Sequence, residues 1–295
     1  MKKYELEAND INIHNSLIDD KLENKEYLSS LIRLISNIDD NEVICIDGYW
    51  GVGKTFLLKQ LMYLIMHYKE NNNQEQFKVV EAEKDVLINI CDNNMVFYYN
   101  AWENDDHSDV LESIIYNILN CYPKYKNEVT SKFDKEETVK EVLNILTKIV
   151  SSKFFNIDLS AEKIDRIKTF NDLSDEINTY EERKSLFEKL VNKILSGKRM
   201  ILIVDELDRC NPYYATKLLE TIKHFYNLSN VTVIIASNNK ELQNTIKKQY
   251  GQNFNAYIYL NRFYDYIMTI SNLVICYKMI VYSHLEILWI TVCLV

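Results

Sequence analysis

Where the glycines fall constrains this chain most. It has five glycines in 295 residues, and three of them, Gly48, Gly51 and Gly53, lie within six positions. The stretch Asp47-Gly48-Tyr49-Trp50-Gly51-Val52-Gly53-Lys54-Thr55 follows the apolar run Val43-Ile44-Cys45-Ile46 and precedes Phe56-Leu57-Leu58-Lys59-Gln60-Leu61. The first run is short, β-branched and bounded by charges, so it reads as a buried strand. The second reads as a helix to about Tyr68. A glycine loop between strand and helix is the setting in which G-x-x-x-x-G-K-[ST] cradles a polyphosphate. Without Cβ atoms, backbone N–H groups can approach phosphate oxygens, and the helix N-terminus adds partial positive charge. The expected nucleotide-binding set is therefore Gly48, Tyr49, Trp50, Gly51, Val52, Gly53, Lys54, Thr55 and Phe56. Lys54 is expected at the β- and γ-phosphates, and the Thr55 hydroxyl on Mg²⁺. The chain's own residue frequencies give this pattern roughly one chance in a thousand of arising at random.

A second site follows the strongest strand signal, Met200-Ile201-Leu202-Ile203-Val204, which ends in Asp205-Glu206. An apolar strand ending in an acidic pair is the Walker B pattern. Asp205 is the expected Mg²⁺ ligand, directly or through water, and Glu206 the expected base that polarises an attacking water. A solvated acidic loop would be the reading of Asp-Glu alone; the apolar strand and the phosphate loop together favour hydrolytic roles.

The rest of the chain alternates strands with helices, which predicts an α/β three-layer sandwich with a mostly parallel central sheet and helices on both faces. Residues 1–40 read as a helical lead-in, with Leu28, Leu31, Ile32, Leu34 and Ile35 at helical spacing. Residues 41–121 hold the first part of the core, including a possible strand near Val79, a strand at Met95–Tyr99 and a helix capped by Ser108-Asp109. Residues 122–180 read as an inserted helical lobe. Residues 181–270 complete the core, with a helix ended by Gly197, another near 213–227, the strand Val231–Ala236 and a helix at 240–249. Ser237 and Asn238 end that strand, and they either orient a water or cap the next helix.

Composition narrows the partners. A net charge of −9 does not advertise nucleic-acid binding. Six scattered cysteines with no C-x-x-C pair read as reduced thiols of a cytosolic protein. The start, MKKYELEAND, has no apolar signal region. Residues 271–295 form an apolar tail containing Lys278, His284 and Glu286. Three readings compete for it: a buried helix, an altered end of a longer chain, or a membrane anchor, against which the charges weigh.

Four segments together resemble one family, the KAP-family NTPases, over about residues 8–270. Gly48–Thr55 is similar to the family's tryptophan-bearing phosphate loop, and Tyr99-Asn100-Ala101-Trp102 to its F-N-A-W element. Asp205-Glu206-Leu207-Asp208-Arg209-Cys210-Asn211-Pro212 resembles D-D-L-D-R-C-x-P, and Tyr259–Tyr264 resembles Y-L-x-K/R-F-F. Glu206 stands where the family more often has Asp, and Asn238 where an Asp is common. The resemblance implies a P-loop NTPase that uses Mg²⁺ and ATP and couples nucleotide state to a protein partner or a homo-oligomer. Some relatives are linked to phage exclusion. An acidic residue directly after Asp205 also resembles the P-loop division with an extra strand between the loop strand and the acidic strand, a place that 231–236 would fill. Arg209 and Arg262 are the candidate transition-state arginines, Arg262 in cis or across a subunit interface; an ion pair to Asp205 or Asp208, or a cap on the next helix, is the structural alternative for Arg209. Trp50 and Trp102 read first as packing elements of the loop, with stacking on each other or on a base as the alternative.

Overall fold

The computed structural model describes residues 7–19, 24–38, 41–69, 77–107, 109–118, 197–225, 230–270, 276–282 and 287–293, with scattered helical positions from 188 to 195. It divides into two compact units, residues 1–110 with 198–295, and residues 111–197. The second unit is described at helical positions up to 118 and again between 188 and 195, where Ile114, Ile115, Ile118, Val191, Ile194 and Leu195 are buried. The inserted lobe expected at 122–180 lies outside the described residues, as does Ser108.

The first unit opens with α1 (Asp10–Asp19) and α2 (Lys25–Asn37), followed by β1 (Val43–Asp47) and α3 (Lys54–His67). Next come α4 (Lys84–Asn93) and β2 (Asn94–Asn100). After the second unit the chain returns as β3 (Arg199–Asp205), α5 (Pro212–Phe225), β4 (Val231–Ser237), α6 (Asn239–Tyr250), α7 (Ala256–Asn261) and β5 (Tyr266–Thr269). Two last strands are β6 (Cys276–Tyr282) and β7 (Ile287–Cys293).

The sheet order is β2-β3-β4-β1-β5-β6-β7. The first five strands are mutually parallel, and β6 and β7 add antiparallel. The strand at 231–237 thus lies between the loop strand β1 and the acidic strand β3, the place the resemblance assigned to it. β4 is buried along its whole length and β3 from its second residue onward, because helices cover both faces of a parallel sheet. Burying each of these Ile, Val or Leu side chains contributes about 1.5–3 kcal/mol.

Two expectations fail here. The stretch near Val79 is a 3₁₀ segment, Lys78–Glu83, and not a strand. It leads straight into α4, and its last residue, the buried Glu83, takes Arg33 at 2.5 Å and the Ser29 hydroxyl at 3.0 Å from α2. The helix reading of the tail, one of the three the sequence left open, does not hold for its described residues either. Residues 276–282 and 287–293 pair as two strands beside β5. The sequences CYKMIVY and ILWITVC are β-branched and aromatic, and β5 would otherwise be an unpaired edge, so pairing wins over helix. Among the described residues, no helix is long and apolar enough to cross a membrane.

Candidate functional site

Register brings the site together. Asn100 pairs with Asp205 across β2 and β3, Val204 with Ile235 across β3 and β4, and Asp47 with Ser237 across β1 and β4. Four carboxyl-terminal strand ends therefore share one edge of the sheet, where loops of a parallel sheet form a crevice.

The glycine loop leaves that edge from β1. Its base is fixed: the Gly48 amide donates to the Ser237 carbonyl at 3.2 Å, and the Ile270 amide to the Asp47 carbonyl at 2.8 Å. A Cβ at Gly48 would lie 2.9 Å from Val52 Cγ2 and 3.1 Å from the Ile270 oxygen, so only glycine fits there. The crest is different. Gly53, φ +92°, caps α3, Gly51 is also left-handed at φ +84°, and nothing lies within 4 Å of a Cβ built at either. Tyr49 and Trp50 are 67% and 57% exposed. Lys54 begins α3 and folds back over the loop, donating to the Gly48 carbonyl at 2.6 Å and the Tyr49 carbonyl at 3.1 Å. Burial lowers its amine pKa, and the carboxylates of Asp208, Asp205 and Asp47 oppose that. Thr55 is half-buried in the first turn of α3, and Phe56 is buried.

The acidic side is packed from below. Asp205, 1% exposed, ends β3. Its Oδ2 accepts the Tyr98 hydroxyl and its Oδ1 the Glu206 amide, both at 2.8 Å. Tyr98 and Asn100 are two residues apart on β2, so both side chains lie on the face of Asp205. Glu206 takes the left-handed φ of +61°, rare for a residue with a side chain, and starts a 3₁₀ turn, Leu207–Arg209. Its carboxylate meets the Arg209 guanidinium at 3.1 Å and hydrogen-bonds the Asn100 side chain. Asn100 Oδ1 in turn accepts the amides of Trp102 at 3.1 Å and Glu103 at 3.3 Å. Burial raises the Glu206 pKa, Arg209 holds it down, and Asp205 pushes it further up.

Two indoles join these parts. Trp50 Nε1 donates to Oδ2 of the buried Asp208 at 2.5 Å, linking loop to acidic turn. The Arg209 guanidinium lies over the Trp102 ring, 5.5 Å from its centroid. Both rings are half exposed, so they bridge polar groups and are not packed in a core. Arg209 pairs with Glu206, where the sequence pointed to Asp205 or Asp208. Asn238 caps α6, accepting the Glu241 amide, and Ser237 donates to Asn239 at 3.0 Å.

Lys54, Thr55, Asp205 and Glu206 thus belong to one edge. Arg262 does not join them. It ends α7, and three residues later Asp265 bonds the backbone of Val43 at the opposite end of β1. A role for Arg262 in cis at the loop does not fit this topology. Residues that pattern reading left without a role are Asp47, Tyr98, Asn100 and Asp208. Equal strand ends and period-two alternation would have flagged Tyr98 and Asn100; nothing in the sequence pairs Asp208 with an indole 158 residues away.

Among solved structures, cbiO1 from Clostridium perfringens, described as part of the ABC transporter complex cbiONQ, is similar at 14% identity. The match covers 80% of this chain and 75% of that one, with a TM-score of 0.34, a likeness too distant to carry an argument. No curated protein matches the sequence. The family model for the KAP family P-loop domain matches residues 24–274, a span that holds both the glycine loop and the acidic turn. The chain belongs to the KAP family of P-loop NTPases, a nucleotide-binding family.

Proposed function

We propose that the chain binds and hydrolyses Mg²⁺-ATP at the carboxyl edge of its sheet. The observation that carries this is the Lys54 amine, folded over a glycine loop and in the field of the Asp205 and Asp208 carboxylates. A nucleotide's phosphates would take Lys54 from the Gly48 and Tyr49 carbonyls and meet backbone amides of the loop crest. The donors fit Mg²⁺: a hydroxyl at Thr55 and a buried carboxylate at Asp205 are hard oxygens, and Mg²⁺ needs few protein ligands beside substrate phosphate and water. When bound, the ion would neutralise charge on the transferred phosphoryl group. Glu206 is the base that takes the proton of the attacking water, once Arg209 and Asn100 let its carboxylate turn toward it. Arg262, exposed at the far end of β1, would act only from a second copy of the chain.

The work done by turnover is coupling to a protein partner or to a homo-oligomer in the cytoplasm. Phage defence is the setting that resemblance suggests. A second reading is a nucleotide-dependent binding switch with little turnover. The Arg209–Glu206 pair favours it, because a base held in an ion pair is idle until something releases it.

Phosphate release from purified protein, with ATP against GTP and with or without Mg²⁺, tests the proposal. Release that needs Mg²⁺ and disappears in Lys54→Ala supports hydrolysis. Tight ATP binding without release, alone or with any candidate partner, supports the switch. Binding that Lys54→Ala does not weaken removes the loop from both readings.

A further inference from the structure

The loop's base is fixed by backbone bonds to β4 and to Ile270, but its crest is held more lightly: a Cβ built at Gly51 or Gly53 would meet nothing within 4 Å, and the Val52-to-Tyr49 backbone bond is long, at 3.4 Å. The contact from the crest to the far wall is Trp50 Nε1 to Asp208 Oδ2, at 2.5 Å. The indole N–H is a donor with no acceptor function, and Asp208 is 7% exposed, so this is a charge-assisted bond whose acceptor is shielded from water. Phenylalanine would fill the same space and leave the carboxylate without this donor.

Asp208 also sits between Glu206 and Arg209 in chain terms, within one 3₁₀ turn. Its carboxylate is the leading influence that raises the Lys54 pKa against burial. One side chain therefore touches the crest through Trp50 and acts on the loop lysine through its charge.

We propose that Trp50 is a positioning residue: its indole, clasped by Asp208, holds the crest of residues 49–53 in the conformation that receives phosphate and ties that conformation to the acidic turn. This rests on the reading of residues 48–55 as the nucleotide loop. It gives the tryptophan a role that its half-exposed ring does not fill by packing. Trp50→Phe isolates the clasp better than the Asp208 variants, because the Asp208 carboxylate also acts by its charge on Glu206.

The test uses the full chain and two readouts on Trp50→Phe, Asp208→Asn, Asp208→Ala and the double variant Trp50→Phe/Asp208→Ala. The first is hydrogen exchange, without nucleotide, of the Val52 amide, which bonds the Tyr49 carbonyl within the crest. The second is the dissociation constant for Mg²⁺-ATP beside kcat. Trp50→Phe is expected to speed exchange at Val52 and to weaken ATP binding about three- to tenfold, a larger change than in kcat. Asp208→Asn keeps an acceptor for the indole and should fall between the parent and Asp208→Ala. The double variant should be no worse than Asp208→Ala alone. Unaltered exchange in Trp50→Phe overturns the clasp, whatever the nucleotide result. Faster exchange with parental affinity overturns the positioning role. If the parent binds no ATP, the nucleotide reading fails, and the exchange readout alone decides the clasp.

Discussion

Residues 48–53 and residues 205–209 approach one another at the same sheet edge, yet they are held by different forces. The acidic turn grows from β3, buried from its second residue to Asp205, and Leu207 beneath it is fully buried. Packing fixes where Asp205 and Asp208 sit. The glycine loop has no such floor under its crest. Its shape depends on the left-handed Gly51 and Gly53, on Lys54 bonded to loop carbonyls, and on Trp50 bonded to Asp208. Hydrogen bonds exchange partners with a ligand more readily than packed side chains move. The difference separates a rigid wall that supplies charge from an adjustable loop that accepts phosphate.

Three substitutions would break or sharpen that contrast. Glu206→Gln, on the rigid side, should lower kcat by about 10²–10⁴-fold and leave ATP affinity intact or tighter, so that the variant retains nucleotide. Single-turnover phosphate release against a binding titration reads this directly; equal losses in both would show that Glu206 shapes the site and does not act as base. Gly48→Ala tests the loop's fixed base. Its Cβ would meet Val52 at 2.9 Å, and the expected cost is about 1–3 kcal/mol of stability, visible in a denaturant titration, together with weaker ATP binding. Parental stability and affinity would mean that the base of the loop is as adjustable as its crest. Arg209→Ala has the smallest expected effect, a shift in pH dependence. The Glu206 carboxyl pKa is already raised by burial and held down by Arg209. A base works unprotonated, so turnover should fall as pH drops through that raised pKa. Removing the guanidinium raises it further, and the acid limb of the kcat/KM profile should move to higher pH. An unmoved limb would show that Arg209 does not set the protonation of Glu206.

Much of the fold was legible because its signals are local. β-branched runs bounded by charge mark β1, β3 and β4, and all three lie where the sequence put them. The Val79 stretch misled because two valines between charged neighbours look like a strand when the helical spacing of Leu87 and Ile90 just beyond is ignored. The helix reading of the tail, one of three, failed for another reason: its length and apolarity suit a helix, while an open edge at β5 favours strands, and the edge is not a property of the tail's own sequence. In the site, Lys54, Thr55, Asp205 and Glu206 were legible because each belongs to a spacing. Tyr98 and Asn100 act through register with β3, and pattern reading alone did not give them work to do.

By itself the sequence determined the loop, the acidic strand end and the alternation that makes a parallel sheet, since glycine geometry and apolar periodicity act over a few residues. Tertiary structure alone decided which distant groups meet. It gave Asp208 to Trp50, Arg209 to Trp102, and Asn100 to Glu206, and it set Arg262 at the far end of β1. Strand order and register fix those meetings, and both arise from packing the whole sheet, a sum over contacts that no short stretch encodes.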